Sequence, residues 1–445
     1  MTAPKGLIIT APASGSGKTL VTLGLLRALR DAGTAVVAAK AGPDYIDPAF
    51  LGAASGAQAT NLDSWAMRPE TLSKFLAAPP MASATVIVEG VMGLFDGVHL
   101  PGRPDAGSTA DLAALTGWPV VLVVDAGKQA ASVGALVRGF ATLRDDVRVA
   151  GVIFNRVASE AHAAVLADAT HAAAPDVRIL GAVARDAALA VPERHLGLVQ
   201  AEEHEGLEQF ITAVAKSLSS QIDLEALTAL ATPAQLTPSA LTVPPVPPLA
   251  QRIAVAQDRA FAFTYPTTLD GWRDAGAEIL AFSPLANEAP DPDAGAVYLP
   301  GGYPELHASV LADADVFLSG IRDTAGRGTA IFGECGGYMV LGRGLVDADG
   351  VRHAMAGLLP VETSFATRRL HLGYRVACLQ HDGPLGPAGT RYRGHEFHYA
   401  TILDEKADNP LFAAENARGE SLGHSGAVAG SVAGSFIHLI DRTAA

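Results

Sequence analysis

Gly333-Glu334-Cys335-Gly336-Gly337 sets one of the chain's two cysteines between glycines, directly after the apolar run Thr329 to Phe332. The pattern predicts a strand that ends in a tight turn, the frame in which a thiol nucleophile is presented. Glycine on either side permits the positive-φ backbone of a nucleophile elbow and aims the Gly336 N–H at a developing oxyanion. A free cysteine is also commonly a small buried hydrophobe, so the turn alone leaves both readings open. A nucleophile needs a base and further N–H donors. Pro300-Gly301-Gly302-Tyr303-Pro304-Glu305 follows the apolar run Val297 to Leu299, and Gly301 and Gly302 can offer backbone N–H groups beside that of Gly336. Gly434-Ser435-Phe436-Ile437-His438 puts a histidine at the close of a β-like segment, about a hundred residues after Cys335. His371, His395 and His398 compete with it for the base role. His395-Glu396-Phe397-His398 is one residue short of a helical zinc motif, and its alternation predicts a strand that lines a pocket. Cys378 has no glycine frame and reads as a core residue.

A second chemistry is written near the start. The apolar run Leu7 to Thr10 leads into Ala11-Pro12-Ala13-Ser14-Gly15-Ser16-Gly17-Lys18-Thr19, and an amphipathic helix follows at once. This is the strand, loop and helix context of a phosphate-binding loop. The N–H groups of Gly15, Ser16 and Gly17 can cradle phosphates, Lys18 can reach the terminal ones, and the Thr19 hydroxyl can ligate Mg²⁺. Pro12 stands where the usual pattern has its first glycine. An ordinary Gly/Ser turn capping a helix is the plainer reading. Val86-Ile87-Val88 ends in Glu89-Gly90-Val91-Met92-Gly93, a carboxylate at a strand's carboxyl end that suits a Mg²⁺ ligand. Between them Lys40-Ala41-Gly42-Pro43-Asp44-Tyr45-Ile46-Asp47-Pro48 offers a lysine and two aspartates that could hold metal, phosphate or a substrate's polar edge. Either aspartate could instead make only an Asx turn. Asn155-Arg156 and Pro192-Glu193-Arg194-His195 could line the base end of a nucleotide site.

These residues need elements to position them. In the first half, short runs at Leu7 to Thr10, Val36 to Ala39, Val86 to Val88, Val120 to Val124 and Val152 to Phe154 alternate with helical patterns such as Leu20 to Arg30 and Val133 to Leu143. That rhythm predicts βαβ units around a parallel sheet. It resumes at Ile253 to Ala256, Ala296 to Leu299 and Ala330 to Phe332, followed by a region richer in short strands from about Leu358 to Leu403. Between the halves, residues 233–250 are proline-dense and uncharged, as suits a semi-rigid linker. The expected organisation is therefore α/β in two domains, each a largely parallel sheet flanked by helices: 1–232, the linker 233–250, and 251–445.

With 445 residues, two such cores are within reach. Two distant cysteines and no apolar run of spanning length point to a cytoplasmic protein without disulfides. A formal net charge of -14 provides no basic stripe and argues against nucleic acid or an anionic membrane as partner. A phosphate site built from backbone N–H groups, one lysine and a metal is compatible with that acidity.

The cysteine elbow, the Pro-Gly-Gly loop and the late histidine resemble a class I glutamine amidotransferase domain. Joined to an upstream P-loop domain with Gly-Pro-Asp-Tyr-Ile-Asp-Pro at 42–48, Glu-Gly-Val-Met-Gly-Leu-Phe-Asp-Gly at 89–97 and Gly-His-Glu-Phe-His-Tyr at 394–399, they resemble the a,c-diamide synthases of cobalamin biosynthesis over essentially the whole chain. The first half is similar to the dethiobiotin synthetase type of P-loop fold. The resemblance implies that Cys335 attacks the glutamine carboxamide with His438 as base, and that Lys18, Thr19 and Glu89 hold ATP and Mg²⁺. It also implicates Lys40, Asp44, Tyr45, Asp47 and Asp96 near a phosphorylated corrin carboxylate, Asp47 also at the metal, and Asn155 near adenine.

One departure stands out: Ile440 occupies the place of the glutamate that usually follows the histidine by two positions. A Cys–His dyad is then expected, with the histidine oriented by another group such as a backbone carbonyl. The implied partners are small molecules (a corrin polycarboxylate, glutamine and ATP), with a homodimer as the one protein assembly allowed for. Rival readings are cobyric acid synthase, nickel sirohydrochlorin a,c-diamide synthase, and a partitioning-type P-loop ATPase with a non-catalytic appended domain. The Asp-Tyr-Ile-Asp loop and short chain favour the diamide enzyme over the first. The last usually carries an extra loop lysine where this chain has Ala13.

Overall fold

The computed structural model describes residues 3–100, 102–186, 193–194, 197–198, 206–236, 243–405 and 408–443. Pro192 and His195, named above as candidates for the base end of a nucleotide site, lie outside them, as do residues 237–242 of the proline-rich stretch. The chain divides into two compact units, one of Met1–Trp65 with Pro69–Leu241, the other of Ala66–Arg68 with Thr242–Ala445. Among the described residues no helix is long and apolar enough to cross a membrane.

In the first unit seven parallel strands run in the order Thr60–Leu62, Val36–Ala41, Thr85–Glu89, Lys5–Thr10, Val120–Asp125, Val149–Val157 and Arg178–Ala184. Leu7, Ile8, Ile9, Val86, Ile87 and Val88 are all 0% exposed, as expected of central parallel strands covered on both faces. Helix Lys18–Asp31 supplies part of that cover through Val21, Leu25 and Leu29, spaced one turn apart. The register sets Glu89 beside Ile9 on one side and Lys40 on the other. The carboxyl ends of three neighbouring strands therefore carry the loop, the lysine and the glutamate to one edge of the sheet, where ligands bind in open α/β folds.

In the second unit the sheet order is Glu278–Phe282, Arg252–Ala256, Ala296–Leu299, Ala330–Glu334, Val432–Ser435 and Ala427–Ala429, parallel except for the last strand. Alternation along the central strands divides the core. Val297, Leu299 and Ile331 pack with Phe317, Leu318 and Ile321 of helix Asp315–Gly326. Ala296, Tyr298 and Phe332 turn the other way, onto Leu379, Tyr392, Phe412 and Leu439. Those last residues belong to a second, five-stranded antiparallel sheet: Ser421–Ser425, Phe412–Asn416, His371–Leu379, Arg391–His398 and Ile437–Arg442. Of the short strands expected from about Leu358 to Leu403, His371–Leu379 and Arg391–His398 belong to this layer, which covers one face of the parallel sheet, while Val361–Ser364 and Thr401–Glu405 pair in a separate four-stranded sheet.

Cys378 corrects one expectation. It is half-buried, because on its strand Ala377 and Leu379 take the buried positions and Cys378 falls on the opposite face.

Candidate functional site

The loop before helix Lys18–Asp31 is held open by its own backbone. Gly15 and Gly17 adopt φ of 77° and 86°, and the Ser16 hydroxyl donates to the Ala13 carbonyl at 2.8 Å. Gly17 is required twice over, since a Cβ there would also lie 2.3 Å from Asn155 Nδ2. Asn155 is buried at the end of its strand and donates that amide to the Ser16 carbonyl at 2.9 Å. Its oxygen accepts from the Arg156 N–H at 2.9 Å. The residue expected near adenine is thus seen tying the loop's main chain to the sheet.

Around the loop the charges interlock. The Thr19 hydroxyl donates to Glu89 Oε1 at 2.5 Å, and Lys40 Nζ lies 3.1 Å from the same oxygen while also pairing with Asp47. Lys40 and Glu89 are 3% and 0% exposed. Burial alone would lower the Lys40 ammonium, but Asp47 and Glu89 together raise it well above its ordinary range. Burial raises the Glu89 carboxyl, an effect that Lys40 opposes and Asp47 reinforces. Burial followed by the neighbouring charge of Lys40 lowers Lys18. Asp44 makes the Asx turn allowed for in the sequence, accepting from the N–H groups of Ile46 and Asp47 at 2.8 Å each. Burial and then Asp47 lift its carboxyl to about 6. Tyr45 is half-buried on the same turn. Asp96 accepts the Gly93 N–H at 2.8 Å, and a Cβ on Gly93 would lie 2.6 Å from the Pro12 carbonyl, so this turn abuts the phosphate loop.

Glu89 Oε2 is buried with no hydrogen-bond partner. An orphaned carboxylate oxygen beside a threonine hydroxyl, at the base of a phosphate loop, is the donor set expected for a small divalent cation.

In the second unit the strand Ala330–Glu334 ends in the anticipated elbow. Cys335 adopts φ 48° and ψ -102° immediately before helix Gly336–Leu341. Its own N–H is taken by the Ser435 carbonyl at 2.8 Å, so the donors left for an oxyanion are those of Gly336 and the Pro-Gly-Gly loop. That loop packs against the elbow: a Cβ on Gly336 would lie 3.0 Å from Gly302 N. A Cβ on Gly301 would lie 2.5 Å from His438 Cε1, 3.3 Å from His438 Nε2 and 3.3 Å from Cys335 Cβ. Only glycine fits there, and Cys335 and His438 flank the same point. Burial raises the Cys335 thiol, with the Glu305 charge the next cause. Burial, then the neighbouring His395, lowers the His438 imidazole well below its usual value. The resting pair is therefore a neutral thiol and a neutral imidazole, which couples proton transfer to attack on a substrate.

His438 does not stand at the close of its segment. Val432–Ser435 ends in the parallel sheet, the Ser435 hydroxyl accepts the Ile437 N–H at 3.1 Å, and the strand Ile437–Arg442 begins in the antiparallel sheet with His438 second. It pairs there with His395, whose ring stacks on it at 5.0 Å. Phe397 on the same neighbouring strand brings its carbonyl to 4.0 Å from the Cys335 sulfur. His371, Glu396 and His398 cluster beside them, but Glu396 is paired with Arg375 at 2.8 Å and with His398 at 3.0 Å. The imidazoles of His371 and His398 are stacked with 7° between planes, so their lone pairs run parallel rather than converging on one ion.

The residue that sequence reasoning missed is Glu334. Its Oε2 lies 3.9 Å from His438 Nδ1 and accepts from the Tyr298 hydroxyl at 2.6 Å, while Oε1 accepts the Leu439 N–H at 3.0 Å. A carboxylate thus approaches the histidine from the residue preceding the cysteine, not from two positions after the histidine. The available signal was a glutamate closing an otherwise apolar strand.

Residues 7–199 match the model of the CobQ/CobB/MinD/ParA nucleotide binding domain, and residues 252–444 match that of the CobB/CobQ-like glutamine amidotransferase domain. Proteins named hydrogenobyrinate a,c-diamide synthase are similar over the full length. Those of Brucella abortus and Rhizobium meliloti are each 54% identical over 98% of this chain, covering 98% and 99% of their own. That of Rhodobacter capsulatus is 52% identical over 98% of this chain and 99% of its own. With a nucleotide-binding half, an amidotransferase half and this identity throughout, the chain belongs to the hydrogenobyrinate a,c-diamide synthase family.

Proposed function

We propose that this protein amidates the a and c carboxylates of hydrogenobyrinic acid, using ATP to activate each carboxylate and glutamine as the nitrogen source. The observation that carries this reading is the presence, in one chain so similar to synthases of that name, of a phosphate loop facing Glu89 and a cysteine elbow facing His438. A carboxylate is a poor electrophile. Its oxygen attacks the terminal phosphorus of ATP, ADP leaves, and an acyl phosphate results. Ammonia adds to the acyl carbon, and phosphate departs with the C–O electron pair, leaving the amide and one proton. Lys18 and the loop N–H groups of Gly15, Ser16 and Gly17 bind the transferring phosphate, and Lys40, Asp44, Tyr45, Asp47 and Asp96 border the activated carboxylate. Glu89 and Thr19, with Asp47, would hold Mg²⁺, which would supply neutralising charge for the phosphates.

Ammonia comes from the second unit. Cys335 Sγ attacks the glutamine carboxamide carbon while its proton passes to His438 Nε2 and on to the leaving nitrogen. The N–H groups of Gly336, Gly301 and Gly302 receive the oxyanion, and water hydrolyses the thioester to glutamate. The protein acts in the cytoplasm. Purified protein given glutamine, Mg·ATP and each candidate tetrapyrrole should convert hydrogenobyrinic acid by two successive replacements of hydroxyl by amine, read by mass. No mass change with any corrin acid would end this reading. Two amidations of cobyrinic acid alone would move the substrate to the cobalt-containing ring.

Glu334 is the group that stabilises His438 as it gains the proton. Glu334→Gln is expected to lower kcat for glutamine hydrolysis roughly tenfold or more, leaving ammonia-dependent synthesis unchanged. It also has a stability signature. Burial lifts the Glu334 carboxyl from 4.5 to about 7, a difference equivalent to roughly 3 kcal/mol. A carboxyl raised on folding contributes stability fully below about pH 4.5, and that contribution is lost as pH rises through about 7. Gln imitates the neutral acid, so the variant's Tm should gain on the wild type between about pH 5 and 8. Parallel pH profiles would refute the buried-acid account.

A further inference from the structure

Glu305 is the one carboxylate of the Pro-Gly-Gly-Tyr-Pro-Glu turn, and the glutaminase chemistry above gives it no task. It lies in the short turn Pro304–His307, and the ring of its neighbour Pro304 would come within 3.0 Å of a Cβ on Gly336. Its Oε2 is buried and has no hydrogen-bond partner. Glu305 itself is half-buried and its own main chain donates to the carboxyl, but an oxygen buried without a donor is costly and is a place where a ligand can supply one. Its charge is also felt at the reacting sulfur, where after burial it is the largest cause raising the thiol. The cation whose charge reaches it is Arg368, on an exposed loop.

Resting on the reading of Cys335 as a glutaminase nucleophile, we propose that Glu305 binds the α-ammonium group of glutamine, its orphaned oxygen lying on the turn that packs against Gly336 of the Cys335 elbow. Glutamine carries two groups beyond the carboxamide that an enzyme can read, an ammonium and a carboxylate on the same carbon. The buried oxygen of the Glu305 carboxylate satisfies the first, and the Arg368 guanidinium supplies the charge that the second needs. The fit has a chemical consequence at the sulfur. Burial lifts the empty Glu305 carboxyl to about 7, and a docked ammonium favours its charged form. That same ammonium offsets the negative charge beside Cys335, so the substrate itself removes an obstacle to thiolate formation.

The test compares glutamine with 4-carbamoylbutanoate, which has the same carboxamide and carboxylate but no amino group. Wild-type protein should hydrolyse glutamine with kcat/KM at least roughly tenfold above that for 4-carbamoylbutanoate. Glu305→Gln should raise KM for glutamine roughly ten- to a hundredfold, with the smaller change in kcat, and should raise hydrolysis of 4-carbamoylbutanoate, which has no ammonium to offset the charge that the variant removes. The ratio between the two substrates would then collapse. A purely structural role would instead lower both activities together, and that result overturns the proposal. So does a wild-type protein that hydrolyses both equally well, a measurement needing no variant. If wild-type protein hydrolyses neither, the glutaminase reading itself fails, and this assignment with it.

Discussion

Cys335→Ala is expected to abolish amidation from glutamine and to leave amidation from ammonia close to the wild-type rate. The Cys335 sulfur is the atom that forms the acyl intermediate in this reading, and nucleophile removal in such constellations costs roughly 10⁴-fold or more. The substitution is mild in structural terms. Cys335 is 2% exposed in a glycine-bordered turn, and alanine leaves the main chain, the Gly336 N–H and His438 in place. Ammonia-dependent synthesis needs neither thiol nor imidazole, only the acyl phosphate in the first unit. The assay is product mass with the corrin acid and Mg·ATP, run with glutamine and with ammonium at alkaline pH, where the free amine is abundant. Loss of both activities would overturn the division of labour between the units. Retention of glutamine-dependent synthesis would remove Cys335 from the mechanism.

The cysteine elbow could be read in advance because everything it needs is local: an apolar strand, a turn and glycines at fixed offsets. The phosphate loop is similar, and the parallel sheet followed from apolar runs alternating with helical patterns. What escaped reading depends on partners distant in sequence. Glu334 gains its role only because Tyr298 and Leu439 fix its two oxygens and His438 arrives from another sheet about a hundred residues later. The crossing at Phe436, which moves His438 from the end of one strand to the start of the next, is set by the Ser435 hydroxyl capping the Ile437 N–H. An alternating run cannot announce that switch. Cys378 was misplaced for a related reason, since period-two alternation names two faces without saying which one packs. Asn155 was read for its place after a strand, yet its hold on the Ser16 carbonyl is a contact with main chain far away, invisible to side-chain patterns.

Lys18→Ala is expected to have the opposite signature to Cys335→Ala: synthesis lost from glutamine and ammonia alike, with glutamine hydrolysis surviving. Two lysines stand beside the phosphate loop, and the question is whether either could replace the other. Lys40 cannot. It is 3% exposed, paired with Asp47 and Glu89, and those charges hold its ammonium in place. Moving it toward a phosphate would strand the buried Glu89 carboxylate and the half-buried Asp47, at a cost of several kcal/mol. Lys18 makes no ion pair among the described residues, and burial together with Lys40 already disfavours its charge. Such a cation gains most from a bound polyphosphate, and gains further as charge builds on the transferring group. Removing it should therefore lower the rate of acyl phosphate formation roughly 10²- to 10⁴-fold. Glutamate release and amide formation should be followed in the same reactions. Amide formation at the wild-type rate in Lys18→Ala would place carboxylate activation elsewhere in the protein. Glutamate still accumulating without amide would mark the two half-reactions as separable, each failing only with its own residue.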